Sequence, residues 1–241
     1  MNQKSGRPRK DPVDKYRVQS WFNFVSENGL RSAYELELEF SPQNFKKDDD
    51  GNTIYPCTWA KYRSGKITPS ESLLARVEEL YPGSRSWFNH PIWRLLTQKP
   101  PSSDFLKASI APVKPRLTKI IGEYDPTNSY QILSSEHTYK YLYEFDLVKS
   151  FARYSQKDSV DKLIGALALL VDSEKRQCRI QNIYSHHAVI CNIDIACKYL
   201  AYIEKEVLLE CIYNRFSPTE YFNFISYQES VGYSSLITPS S

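Results

Sequence analysis

The chain has 241 residues and a formal net charge of +3, so it is long enough for one large domain or two smaller ones. Aromatic residues make up 14% of it and Gly contributes only 8 residues, which excludes a low-complexity or linker-like polymer. The five cysteines form no CxxC pair and favour free thiols in a reducing compartment. No apolar run approaches the roughly 18 residues of a membrane span, so we expect a cytoplasmic protein without a membrane partner.

Positive charge is concentrated in the first part of the chain. Residues 1–100 carry 16 Lys and Arg against 12 Asp and Glu, whereas residues 101–241 carry 15 against 16. The first ten residues, MNQKSGRPRK, hold four cations and no acid. We therefore expect residues 1–12 to form a disordered basic arm with an anionic partner.

A short motif lies inside this arm. The stretch GRPRK resembles the core of an AT-hook, which lies along the narrow minor groove of A·T-rich DNA. A solvated basic tail is the alternative interpretation. The resemblance implies DNA contacts by Arg7, Arg9 and Lys10.

Helical spacing begins directly after the arm. Apolar residues at positions i, i+3, i+4 and i+7 predict a first helix over residues 13–28, which Gly29 ends. Ser32 is a suitable N-cap for a second helix through Phe40. The apolar face of the first helix consists of Val18, Trp21, Phe22 and Val25.

The next segment, residues 41–54, has no helical pattern. Its DDDGN sequence is typical of a turn and predicts an exposed loop with room for a short hairpin. A third helix is expected from Pro56 to Gly65, because Pro suits a first helical position and Gly a helix end. Ser70 predicts the cap of a fourth helix, with Leu73, Leu74, Val77, Leu80 and Tyr81 on its apolar face.

The sequence QKPPSSD marks a change in composition and predicts a domain boundary near residue 100. Beyond it the pattern is again helical. The expected helices cover residues 136–154, 159–172, 188–203, 205–215 and 218–228. The predicted fold class is therefore all-α, with domains at residues 13–99 and 100–231 and a tail at residues 232–241.

The stretch TWAKYRSGKITPSESLLARVEELYP resembles the Cro/XRE-type, phage repressor-like helix-turn-helix family. In that family a short recognition helix ends in a core residue and Gly-Lys, and Pro-Ser opens a long amphipathic helix. The resemblance covers roughly residues 14–82, with a longer loop before the recognition helix than the family has. The matching positions are Trp59, Tyr62, Gly65, Lys66, Pro69, Leu73 and Val77.

The resemblance implies a DNA-binding surface on the third helix. Ser32 would contact a phosphate, and Ser64 and Lys66 would hold the DNA backbone. The cation of Arg63 would meet phosphates beside the helix. By the same resemblance, the residues facing the bases would be Cys57, Thr58 and Lys61.

Catalytic and metal-binding interpretations have less support in the sequence. His187 and Cys191 are four residues apart on one helical face, but two ligands are too few for a closed zinc site. No nucleotide-binding glycine loop or nucleophile elbow occurs. We therefore expect no enzyme activity, no metal and no cofactor.

These expectations combine into one hypothesis. The chain would be a DNA-binding transcriptional regulator, repressor-like and homodimeric, that reads double-stranded DNA through residues 13–99. Its C-terminal domain would serve dimerisation or contact with a protein partner. The alternative is a helical adaptor of a mobile-element or phage-defence assembly, which would present an apolar patch on the third helix instead of a basic one.

Overall fold

A computed structural model describes residues 11–112, 159–177 and 179–219, together with residues 222, 223 and 226. The chain divides into two compact units, Met1–Gln98 and Lys99–Ser241. Both are built from helices in the described parts, where the strands are limited to two short ones, so the predicted all-α fold class is confirmed. The expected helix over residues 136–154 lies outside the described residues.

The first unit is a bundle of short helices with a small hairpin inserted after the second. A 3-10 turn, Pro42–Asn44, precedes strands β1 (Lys46–Lys47) and β2 (Thr53–Ile54), which pair antiparallel with Lys46 opposite Ile54. The helices are α1 (Pro12–Val25), α2 (Ala33–Phe40), α3 (Thr58–Arg63), α4 (Glu71–Leu80), α5 (Ser84–Phe88) and α6 (Pro91–Leu96).

Local capping explains where the first two helices begin. The Asp11 carboxylate accepts the N–H of Val13 at 3.1 Å and Pro12 is the first residue of α1, so the expected disordered arm cannot extend to residue 12. The Ser32 hydroxyl accepts the N–H of Glu35, whose carboxylate accepts the N–H of Ser32. This capping box sets the start of α2 at the predicted position.

Aromatic rings make the centre of the first unit. Trp21 of α1 stacks on Trp59 of α3 with ring centroids 5.6 Å apart, and Phe40 of α2 stacks on the same ring at 5.3 Å. Tyr62 meets both tryptophans edge-on. Each such pair contributes about 1 kcal/mol beyond the burial of its surface. The predicted apolar face of α1 is confirmed, since its residues are buried in this core.

The start of α3 and the buried face of α4 differ from the prediction. The third helix begins at Thr58 and not at Pro56, because Cys57 has a left-handed backbone with φ of 52° that cannot continue a helix. In α4, the predicted apolar residue Leu80 is 60% exposed. The buried face of α4 is therefore narrower than its sequence pattern indicates, with Leu73, Leu74 and Val77 at its centre.

Gly65 ends α3 in a tight turn. Its N–H donates to Tyr62 O at 2.9 Å, and the next N–H, from Lys66, donates to Lys61 O at 2.9 Å. This pairing satisfies carbonyls at the helix end and needs the left-handed backbone of Gly65, whose φ is 66°. A Cβ at this position would lie 2.6 Å from Lys15 O of α1, so the turn packs directly against the first helix.

The second unit contains four described helices, of which α8 packs against both α7 and α9. The structure adds α7, for which no helix was predicted, and it begins α9 well before the predicted residue 188. The last of the four agrees with the predicted residues 205–215. The helices are α7 (Ser103–Ile110), α8 (Ser159–Arg176), α9 (Arg179–Tyr199) and α10 (Lys205–Arg215).

None of the helices in the described ranges combines the length and the apolar composition that are needed to cross a bilayer.

Candidate functional site

The three residues that were predicted to face the bases do not all belong to the third helix. Cys57 is exposed but precedes α3, and Thr58 is the half-buried first residue of that helix. Lys61 is exposed on α3. Cys57 therefore lies outside α3, because its left-handed backbone does not continue the helix, whereas Thr58 and Lys61 belong to the helix.

Ser32 and Ser64 are engaged within the protein. The Ser32 hydroxyl donates to a Glu35 carboxylate oxygen at 2.7 Å, and the Ser64 hydroxyl donates to Lys61 O at 3.1 Å. The backbone and hydroxyl of Ser32 also lower the pKa of Glu35. Both serines therefore serve helix ends, whereas the sequence assigned them to a nucleic-acid backbone.

The predicted cations of the third helix are available at the surface. Lys61, Arg63 and Lys66 are exposed, and the side chains of Lys61 and Arg63 make no ion pair within the described ranges. The other three predicted site residues, Arg7, Arg9 and Lys10, lie outside the described residues.

An aromatic groove of about 490 Å³ opens between α2 and the segment that leads into α3. Tyr34, Phe45 and Tyr55 line it and meet in pairs edge-on, with ring centroids 5.5 to 6.0 Å apart. Tyr34 and Tyr55 are 50% and 54% exposed. Two small side chains, Ala33 and Ala60, also line the groove. Its volume is in the range of ordinary ligand sites.

A buried carboxylate lies against this groove. Glu37 is 3% exposed, and its Oε2 accepts the N–H of Trp59 at 2.8 Å. Its Oε1 has no hydrogen-bond partner among the described residues. Burial raises the pKa of Tyr62, and the Glu37 charge raises it further. A buried acceptor without a partner costs about 1 to 3 kcal/mol, so this oxygen favours a donor from outside the chain.

Two cations follow a groove residue in sequence. Lys46 and Lys47 directly follow Phe45, are exposed, and make no ion pair within the described part of the chain. The acids nearest in sequence are at the tip of the hairpin, where Asp48 accepts the N–H groups of Asp50 and Asn52. The acidic stretch at residues 48–50 thus stabilises its own turn, in agreement with the predicted loop.

Sequence reasoning missed this groove. It predicted a second helix through Phe40, which is buried, but it gave no role to Tyr34 or to buried Glu37. One signal was present: Phe45 and Tyr55 flank the predicted hairpin on its two sides, so pairing of the strands brings both rings together.

The second unit holds a buried polar cluster between α8 and α9. His186 Nδ1 lies 3.1 Å from Asn182 O, the Asn182 amide donates to the Ser173 hydroxyl at 3.2 Å, and that hydroxyl donates to Leu170 O. Burial lowers the pKa of His186. Across the described residues, no group of three or more His, Cys, Asp or Glu side chains could hold a metal ion. The hydrogen bond from Asn182 to Ser173 connects α9 to α8.

Residues 115–232 match a polymerase family. The family is described as CPV, RNA-directed RNA polymerase, N-terminal, and the match covers just under half of the chain. It includes α8, α9 and α10 and leaves out the first unit. No curated protein and no solved structure matches the chain.

The polymerase match corrects the functional hypothesis. The predicted kinship with Cro/XRE-type repressors is wrong, and so is the prediction of a repressor-like transcription regulator. The expected non-enzyme is contradicted, because the matched family is that of an RNA polymerase. The predicted double-stranded DNA partner and DNA-bound homodimer are likewise contradicted by this match.

Proposed function

We propose that the chain takes part in RNA-directed RNA synthesis, with residues 115–232 as its polymerase-associated region. The observation that carries this proposal is the match of those residues to the N-terminal region of a viral-type RNA-directed RNA polymerase family. The described part of that region is helical and is stabilised by buried apolar side chains along α8. Folded helices of this kind offer fixed surfaces to the other parts of a polymerase.

Two exposed side chains support a protein contact within the matched region. Ile195 of α9 is 37% exposed and Tyr213 of α10 is 39% exposed. Contiguous exposed apolar patches mark interfaces, and these two side chains are the candidates for such a patch in the matched region. In this proposal they face another component of the polymerase complex.

The first unit supplies contacts to the RNA backbone. Lys61, Arg63 and Lys66 are exposed cations on or beside α3, and each cation that neutralises a phosphate releases counterions and strengthens binding. RNA thus replaces DNA as the partner of these residues. Their binding would weaken steeply with added salt.

A cytoplasmic location is also proposed. It is supported by Cys57 and Cys197, which are free thiols in the described part of the chain. Free thiols persist in reducing compartments.

The proposal is tested by RNA-templated synthesis. The tagged full chain is recovered from its natural source, treated with DNase, and supplied with a single-stranded RNA template and labelled ribonucleotides. A recombinant preparation of the chain alone is assayed beside it. We expect labelled RNA complementary to the template in the recovered material.

A matched pair of surface variants shows whether synthesis depends on this chain. Tyr213→Asp changes an exposed residue of the matched region, whereas Leu30→Asp changes an 80% exposed residue of the first unit. Tyr213→Asp should reduce the recovered synthesis and Leu30→Asp should leave it unchanged. Absence of template-dependent product from both preparations of the unmodified chain would reject the proposal.

A further inference from the structure

We infer that the aromatic groove of the first unit binds an unstacked guanine of single-stranded RNA. The inference rests on the proposed function for the choice of RNA, and it adds a base-binding site outside the residues that match the polymerase family. The site consists of Tyr34, Phe45 and Tyr55 around the groove and the Glu37 carboxylate beside it.

The exposed rings provide the stacking surface. Tyr34 and Tyr55 leave about half of their surface to solvent, and Phe45 supports both rings edge-on at 6.0 and 5.8 Å. Rings fixed by neighbours lose little conformational entropy when a base stacks on them. Single-stranded RNA is commonly bound in this way, because every unstacked base presents a π face.

Glu37 selects among the bases. A carboxylate oxygen only accepts hydrogen bonds, and guanine has two adjacent donors, N1–H and the N2 amino group, on its Watson–Crick edge. Oε2 is already occupied by the N–H of Trp59, which fixes the carboxylate and leaves Oε1 as the acceptor. Oε1 is covered in the free protein, so in this proposal the base reaches it after a shift of the non-aromatic lining, while the stacking rings keep their positions. Guanine should therefore bind better than uracil.

The surrounding charge favours RNA over a basic peptide. Aromatic rings beside a carboxylate could also hold a cationic side chain. Lys46 and Lys47 follow the groove residue Phe45 in sequence, and Lys61 follows the groove residue Ala60. All three are exposed, and their positive charge favours the phosphates on either side of a bound base over a cationic ligand. The charge pattern thus complements a polyanion that carries bases.

The inference is tested with labelled oligouridine that contains one central guanosine, adenosine or cytidine, titrated into the full chain by fluorescence anisotropy at matched salt. We expect the guanosine oligonucleotide to bind about tenfold more tightly than oligouridine. Tyr55→Ala should weaken binding of the guanosine oligonucleotide about tenfold, and Glu37→Gln should remove the preference for guanosine. Tyr199→Ala, at a 47% exposed tyrosine of the second unit, is the matched control and should change neither value.

A second measurement needs no substitution and so does not depend on the folding of a variant. Cys57 lines the groove and is exposed, so its alkylation by iodoacetamide can be followed by peptide mass spectrometry. The guanosine oligonucleotide should slow this alkylation at concentrations where oligouridine does not.

Three results would overturn the inference: equal affinity for all the oligonucleotides, guanosine binding that survives Tyr55→Ala, or an arginine-rich peptide that binds and protects Cys57 while RNA does not. None of them concerns RNA synthesis. The experiments therefore distinguish a failure of the guanine-binding inference from a failure of the proposed polymerase role.

Discussion

Glu37 of α2 accepts the backbone N–H of Trp59 at 2.8 Å, and in this way a carboxylate from one helix caps the first turn of another. Cys57, the residue at the N-cap position of α3, makes no side-chain cap. The aromatic core therefore depends on a hydrogen bond between residues of two different helices.

Removing this tertiary cap should destabilise the first unit. We expect Glu37→Ala to lower the free energy of unfolding by about 2 kcal/mol, because the N–H of Trp59 loses a charged acceptor in a buried position. Glu37→Gln keeps an acceptor and should lose less than half as much. Urea unfolding followed by tryptophan fluorescence is the measurement, since all four Trp residues lie in this unit. Equal losses for the two variants would contradict the capping role.

The close approach of Gly65 to α1 predicts a second effect. Gly65→Ala adds a Cβ that would lie 2.6 Å from Lys15 O at a position with φ of 66°. Gly51→Ala is the control, because Gly51 also has a positive φ of 82° but no atom within 4 Å. We expect Gly65→Ala to cost at least about 1 kcal/mol more than Gly51→Ala in the same unfolding measurement. Similar costs would show that backbone strain alone matters.

His90 should make the first unit sensitive to acid. Burial lowers the pKa of His90 from 6.5 to about 4, because the charged form is poorly solvated. Between pH 6.5 and 4 the unfolded chain binds the proton and the folded chain does not, so this contribution is complete above pH 6.5 and is lost as pH falls toward 4. The lost stability approaches about 3 kcal/mol.

The variant His90→Asn isolates this contribution. The Asn side chain keeps a hydrogen-bond acceptor at the start of α6, where His90 Nδ1 lies 3.5 Å from the N–H of Ile92. The difference in unfolding free energy between the wild type and the variant, measured at steps from pH 7 to 4, should fall as the pH falls. A difference that stays constant would mean that the buried imidazole does not carry the pH dependence.

An ion pair in the second unit provides another test. The Arg215 guanidinium contacts both carboxylate oxygens of Glu174, at 2.8 and 3.1 Å, and lies 4.6 Å over the ring of Phe216. Its side chain is only 8% exposed. A double-mutant cycle with Arg215→Ala and Glu174→Ala should give a coupling energy of about 2 kcal/mol, measured by the loss of helical circular dichroism.

A comparison at the surface shows that this result depends on burial. The pair of Arg85 with Glu71 has a similar distance of 2.9 Å but side chains that are 51% and 71% exposed. The same cycle at that pair should give less than about 1 kcal/mol. A coupling at Arg215 as small as the one at Arg85 would contradict the proposed role of burial.

The sequence predicted the core of the first unit because its helices carry regular apolar stripes and recognisable caps. Ser32, Ser70 and Gly65 stand where the prediction placed helix starts and ends. The predicted start of α3 was wrong because the left-handed backbone occurs at a Cys, a residue type that does not indicate positive φ in a sequence as Gly does.

The aromatic groove could not be predicted from the sequence pattern for a different reason. Tyr34 and Glu37 come from α2, whereas Tyr55 follows the hairpin, so only the folded chain brings them together. Periodicity identifies which face of a helix is buried, but it does not show that a buried position holds a carboxylate with a partner 22 residues away. The domain function was also inaccessible, because the stretch with the clearest motif lies outside the residues that match the polymerase family.

The hairpin has a practical use. Its stem holds Phe45 and Tyr55 in contact, while the tip between Asp48 and Asn52 is exposed and closed by its own hydrogen bonds. A small fluorophore-binding tag inserted at Gly51 would lie close to the aromatic groove without replacing any residue that lines it. The hairpin tip is therefore a suitable insertion site for a fluorescent reporter of ligand binding in the aromatic groove.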